Sequence, residues 1–309
     1  MNYAMLFPGQ GSQAVGMLAG LPAANAVWDE ASSVLGWDVQ ALVAQGPAEE
    51  LNRTERTQPA LLAAGIAAWR AWQARGLPKA SVLAGHSLGE YTALVAAGAL
   101  EFSAALKLVE LRGQLMQQAV PAGTGGMLAL VGLDDAAVEA FCAENPTGTV
   151  LEPVNYNAPG QVVVAGQSAA IDWAEANAKA KGARMAVRLP VSVPSHCSLM
   201  RGAAAKLFEA LGKAEFRGTE IPVLHNLDAQ PRSDAAGLRA ALRDQLHRPV
   251  RWTQTVQAME ARGVTLFLEC GPGKVLAGLN KRIAKGAKTI GLEDAAGLDA
   301  AAAAIGESA

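Results

Sequence analysis

Charge is scarce in this chain. Of its 309 residues only 17% are Asp, Glu, Lys or Arg, and 28 acids nearly balance 26 bases, leaving a net charge of -2. No field of one sign pulls the protein toward nucleic acid or an anionic membrane, so an acidic ligand has to be held by a few placed cations. Aromatic residues make up 5%. Cysteine occurs three times, at Cys142, Cys197 and Cys270, scattered and odd in number. That pattern fits neither a disulfide framework nor metal-ligand spacing, and no metal or cofactor is expected. The longest apolar runs, around residues 61–69 and 93–100, fall well short of the ~20 residues that span a bilayer. Residues 1–7 lack the basic segment and long apolar stretch of a signal peptide. A cytoplasmic monomer without membrane or nucleic-acid contacts is expected.

Apolar residues are abundant, at 51%, which allows a sizeable core. The length suits one large domain, or a large domain carrying a smaller insert. Strand-like runs at 3–7, 82–84 and 264–268 alternate with helical patterns at 24–35, 57–72, 88–97, 103–119 and 274–284. This alternation predicts an α/β core with a largely parallel sheet. The rhythm changes in the middle of the chain. There, strands at 127–131, 150–154, 162–165 and 185–189 and helices at 135–144 and 168–181 follow the order βαββαβ of ferredoxin-like folds. A turn is expected at Asn157-Ala158-Pro159-Gly160. Segments 121–126 and 190–194 lead into and out of this unit. The division is therefore a large α/β part, 1–120 and 201–309, with a small ferredoxin-like part, 121–200, inserted in it. An Ala-rich helix at 298–305 closes the chain.

Gly85-His86-Ser87-Leu88-Gly89 fits G-x-S-x-G between a strand and a helix, the setting of a nucleophile elbow. Glycines two positions either side of the serine relieve crowding at a strained turn. A serine at a helix N-terminus also has free backbone N–H groups beside it. The rival reading is a glycine-bounded helix cap with Ser87 as N-cap. A serine nucleophile needs a base. Of four histidines, His196, in Val193-Pro194-Ser195-His196 at the exit from the small unit, is the best placed. His225 and His247 have polar neighbours typical of loops and helix ends. No carboxylate lies near His196 in sequence, so a Ser–His dyad is expected, its imidazole oriented by a carbonyl.

Gln10, between Gly9 and Gly11 after the first strand, offers a backbone N–H that pairs with that of Leu88 as oxyanion donors. Gly9-x-Gly11-x-x-Ala14 also matches a dinucleotide fingerprint, but no second strand ends in an acid ~20 residues on. Arg112 shares its helix face with Leu108 and Met116, so its guanidinium is partly buried. It either meets a substrate carboxylate or snorkels to an internal acid. Gly271-Pro272-Gly273-Lys274 reads as a tight turn before a helix, or else as an anion site.

Phe7–Gln13, Thr57-Gln58-Pro59-Ala60, the Ser87 elbow with Glu90 and Tyr91, Arg112-Gly113, Val154-Asn155-Tyr156-Asn157, the His196 motif and Glu269-Cys270-Gly271-Pro272-Gly273-Lys274 occur in this order over nearly the whole chain. Together they resemble the malonyl-CoA:acyl-carrier-protein transacylases. The resemblance implies an α/β-hydrolase-like large part, a ferredoxin-like insert and ping-pong transfer of malonyl from malonyl-CoA to acyl carrier protein in fatty acid biosynthesis. It makes Ser87 the nucleophile, His196 the general base and acid, Gln10 and Leu88 the oxyanion donors, and Arg112 the grip on the malonyl carboxylate. It also assigns Gln245 as the residue whose carbonyl orients His196, and Met116, Asn155 and Ser195 as pocket positions. A hydrolase with the same dyad is the nearest rival. Arg282 and Lys285 are candidate contacts for an acidic carrier.

Overall fold

The computed structural model describes residues 2–121, 123–191 and 193–306. Among these described residues nine strands run β1 Tyr3–Phe7, β2 Val82–Gly85, β3 Gly125–Val131, β4 Leu151–Ala158, β5 Gln161–Gln167, β6 Met185–Arg188, β7 Val223–Leu224, β8 Leu266–Glu269 and β9 Lys288–Gly291. β1, β2 and β8 are buried at every position, as near-continuous apolar runs must be when helices cover both faces. They form the centre of a five-stranded sheet ordered β7-β2-β1-β8-β9, parallel throughout. The helix Thr54–Gln73 is buried along almost its whole length and packs against helix Phe102–Ala119. It is buried on all sides, so its Ala-rich sequence gives close packing rather than an amphipathic stripe.

Residues 125–188 build a second sheet ordered β4-β5-β3-β6, antiparallel throughout. Helices Asp135–Ala143 and Ser168–Asn177 fall between β3 and β4 and between β5 and β6. Asp134 caps the first of these, accepting from the Ala137 N–H at 2.8 Å. β4 also reaches the large sheet's side of the molecule, where Tyr156 N donates to Val250 O and Val250 N donates to Val154 O. The arrangement is therefore α/β, with a parallel sheet and a smaller antiparallel one.

Several boundaries differ from expectation. β4 continues through Ala158, which leaves Pro159-Gly160 as the turn, with Gly160 at φ 70°. The helix expected from residue 57 starts at Thr54 and contains Pro59. Pro59 is the sixth residue of that helix, past the free N–H groups of the first turn, so it forfeits one bond, to the Glu55 carbonyl, and the burial of the helix tolerates the loss. Helices Val39–Gln45, Arg201–Lys213, Ala235–Gln245 and Trp252–Glu260 and strands β7 and β9 were not foreseen. The lead-in and lead-out segments each include one residue, Ala122 and Ser192, outside the described residues, as is Met1.

Candidate active site

Three neighbouring strands of the parallel sheet deliver the site at their C-terminal ends, where α/β sheets bind ligands. β1 ends at Phe7 and leads to Gln10, β2 ends at Gly85 and leads to Ser87, and β7 ends at Leu224 and leads to His225 and Asn226. Phe7 pairs with Gly85, so the first two loops leave side by side. Helix Gly89–Ala96 starts two residues after Ser87.

Ser87 lies at φ 53°, a left-handed conformation rare outside glycine. The flanking glycines are there because nothing else fits. A Cβ on Gly85 would stand 1.9 Å from the Gly89 carbonyl, and one on Gly89 would stand 2.0 Å from Phe7 O. The turn is pinned from outside as well. The Ser87 N–H donates to Asn226 Oδ1 at 2.7 Å, and its carbonyl accepts from Gln245 Nε2 at 2.8 Å. This is a strand–turn–helix elbow, not a simple helix cap. Neither the Gln10 nor the Leu88 backbone N–H has a partner among the described residues.

Ser87 Oγ lies 2.7 Å from His196 Nε2, and His196 Nδ1 lies 2.7 Å from the Gln245 carbonyl. A carbonyl only accepts, so Nδ1 carries the proton and Nε2 presents a lone pair to the serine. Burial, then the Arg112 charge, and His86 more weakly, push the His196 imidazole down to about 3 against the pull of the Gln245 carbonyl. It is therefore a neutral proton acceptor at ordinary pH. His196 also adopts a positive φ, 63°, within the turn that delivers it.

Arg112 is 1% exposed. It donates to Gln58 Oε1 at 2.8 Å, Gln245 Oε1 at 3.1 Å and Ser87 Oγ at 3.2 Å, while Nε has no partner among the described residues. Among the described residues no carboxylate touches it, which leaves the alternative of an internal acid without support; Glu110 instead accepts from Trp37 Nε1 and faces Arg56. A buried guanidinium with neutral partners and a spare donor is a ready receptor for a carboxylate. Gln10, Ser87, Leu88, Arg112, Met116, Asn155, Ser195 and His196 line a single cavity of about 90 Å³, closed by His86, Met127, Leu189, Val191 and Val193. Asn155 Oδ1, buried and unpartnered among the described residues, belongs to this wall. Gln245 stands behind it.

The competing motifs resolve differently. After Gly9-x-Gly11 the chain makes turns until a helix begins at Ala24, so no helix N-terminus receives a pyrophosphate there. The helix after Gly271-Pro272-Gly273-Lys274 has its N-terminus filled by Glu269, which accepts from Leu276 N at 2.9 Å and Ala277 N at 2.8 Å. That segment is a turn, not an anion site. Arg282 is half committed inside the molecule, donating to Gln161 Oε1 and Pro159 O. All three cysteines are buried and unpaired. Among the described residues no acidic, His or Cys cluster could hold a metal ion, and no helix is long and apolar enough to cross a membrane.

Residues 4–298 match the acyl transferase domain family. The malonyl CoA-acyl carrier protein transacylase of Salmonella typhimurium is 52% identical over 304 residues, covering 97% of this chain and 98% of the relative. The chain belongs to the malonyl-CoA:acyl-carrier-protein transacylase family. The crystal structure of an acyl carrier protein S-malonyltransferase from Vibrio cholerae superposes with a TM-score of 0.95 at 54% identity, over 97% of this chain and all of that one. A malonyl-transacylase solved in complex with a type II polyketide-synthase acyl-carrier protein gives 0.96 at 51% identity, covering 97% and 99%.

Part of this transacylase site escaped the sequence reading. His225, expected in a polar loop, is fully buried with Nδ1 2.7 Å from Glu90 Oε1. Glu90, Asn226 and Gln58 had no assigned role, yet Asn226 accepts from the Ser87 N–H, Gln58 accepts from Arg112, and Glu90 accepts from Gln245, which bonds both Ser87 and Arg112. The Glu90 signal was available, since a carboxylate three residues after the elbow serine falls inside an otherwise apolar helix and must be buried with partners. His86 bonds Asn157 Oδ1 through Nε2 at 2.8 Å, fixing the ring at the cavity edge.

Proposed function

We propose that the protein moves a malonyl group from malonyl-CoA to the phosphopantetheine thiol of acyl carrier protein through an ester on Ser87, supplying units for fatty acid biosynthesis. The supporting observation is a single serine oxygen that touches both a neutral imidazole and a buried guanidinium lacking an anion. His196 Nε2 takes the Ser87 proton as Oγ attacks the thioester carbonyl. The carbonyl oxygen becomes an oxyanion, held by the Gln10 and Leu88 N–H groups. The intermediate collapses, the C–S bond breaks, and His196 returns the proton to the coenzyme A sulfur. The second half reverses the order: the carrier thiol gives its proton to His196, attacks the ester carbonyl and releases Ser87. Arg112 pairs with the malonyl carboxylate throughout, fixing the acyl chain at the nucleophile. The Gln245 carbonyl does the orienting that an acid does in a triad. Met116, Asn155 and Ser195 shape the acyl end of the cavity.

The large part, 1–120 and 201–309, is read as α/β-hydrolase-like and 121–200 as a ferredoxin-like insert, a reading supported by the strand order β4-β5-β3-β6 and the two interposed helices. The protein is taken to act as a cytoplasmic monomer. Mixing it with malonyl-CoA and carrier bearing phosphopantetheine should add one malonyl to the carrier mass. Free malonate with unmodified carrier would instead mark a thioesterase.

A further inference from the structure

Arg112 is a fully buried cation with no ion pair among the described residues, and burial pulls its guanidinium below the usual arginine range, with the Tyr91 phenol and Glu90 opposing. Something nearby has to keep that charge tolerable without occupying the place of a substrate carboxylate. Among the described residues, the buried carboxylate in contact with Arg112's own partners is Glu90, which is 0% exposed. Its Oε2 accepts from Gln245 Nε2 at 3.2 Å, and Gln245 Oε1 accepts from Arg112 Nη2 at 3.1 Å. One amide therefore separates the two charges. The same Oε2 accepts from Asn226 N at 2.8 Å, and Asn226 Oδ1 holds the Ser87 N–H.

The rest of the cluster leaves Glu90 its negative charge. His225 donates to it through Nδ1, while His225 Nε2 is buried and has no partner among the described residues. A second proton on that ring would be a buried N–H with no acceptor, so the pair carries one net negative charge. Arg232, whose charge also feels Glu90, is already paired with Asp228 through both terminal nitrogens, at 3.0 and 2.6 Å.

We propose that Glu90 is the fixed counter-charge of the acyl pocket, held one amide away from Arg112, and that it sets how tightly a carboxylated acyl group binds and so how readily it is released. A direct Glu90–Arg112 pair would compete with the substrate. Removed altogether, it would leave the guanidinium to bind malonyl too tightly for turnover. At one remove it does neither, and through Asn226 and Gln245 it also positions the backbone of Ser87. This rests on Arg112 being the carboxylate receptor.

The test is calorimetric binding in a Ser87→Ala background, where no acyl transfer occurs. Unit charges separated by one side-chain amide, at an effective dielectric of about 20, interact enough to change affinity on the order of tenfold. Glu90→Gln keeps the shape and removes the charge, so malonyl-CoA should bind about tenfold tighter and acetyl-CoA should bind unchanged. Glu90→Asp keeps the charge and should leave malonyl-CoA and acetyl-CoA affinities close to those of the parent. A damaged fold would shift both ligands together, and melting curves identify it. The proposal is overturned if Glu90→Gln with an intact melt leaves malonyl-CoA affinity unmoved or changes both ligands alike, or if Glu90→Asp tightens malonyl-CoA as much as Glu90→Gln does. Loss of malonyl preference in the Ser87→Ala parent itself would overturn the assignment of Arg112 instead.

Discussion

Replacing Arg112 by alanine separates binding of the acyl carboxylate from chemistry on the thioester. In the free protein the guanidinium is 1% exposed and, among the described residues, bonded to uncharged groups, so a malonyl carboxylate would gain its charge-assisted bonds away from bulk solvent. Removing one partner of such a desolvated pair costs roughly 2–5 kcal/mol, or roughly 30- to 5,000-fold in kcat/KM for malonyl-CoA. Acetyl-CoA carries no carboxylate and should change by less than about tenfold. The substitution also strands Gln58 Oε1 and Gln245 Oε1, at about 1–3 kcal/mol each, offset by no longer burying a cation. Steady-state transfer to carrier protein with both thioesters, beside a melting curve, reads all three effects. Equal loss for malonyl and acetyl in a folded variant would refute the carboxylate role.

Two further outcomes follow from the buried groups. The His196 pKa is depressed from 6.5 to about 3, so the neutral ring's contribution to stability is fully present above pH 6.5 and is lost progressively as pH falls toward 3. The acid limb of kcat/KM for malonyl-CoA should accordingly lie below about pH 5, with melting temperatures falling over the same range and less steeply in His196→Ala; a limb at pH 6.5 would contradict this. Glu269→Ala should strip the acceptor from the Leu276 and Ala277 N–H groups, lowering Tm by about 2–6 °C and leaving transfer kinetics at 25 °C unchanged, as thermal scans and the same assay would show.

The elbow was legible because its requirements are local: a buried strand, two glycines, a serine and a helix within about ten residues. The βαββαβ stretch was legible because apolar periodicity changes along the chain. Helices 201–213 and 235–245 were missed since each buries only a narrow face, four residues in each case, and short β7 and β9 carry too few residues to show alternation. The convergence of Ser87, His196, Arg112 and Gln245 spans up to 158 residues and leaves no periodic trace. The charge cluster around Glu90 was hidden for the same reason. His225 looks like a loop histidine until its partner, 135 residues away, is placed beside it.

The most direct measurement is the intact mass of the protein after mixing with malonyl-CoA in the absence of carrier. One malonyl should appear, persist, map to the peptide holding Ser87, leave on addition of carrier, and be absent from Ser87→Ala. A malonyl adduct that survives in Ser87→Ala, or transfer to carrier by that variant at the native rate, would contradict the central claim.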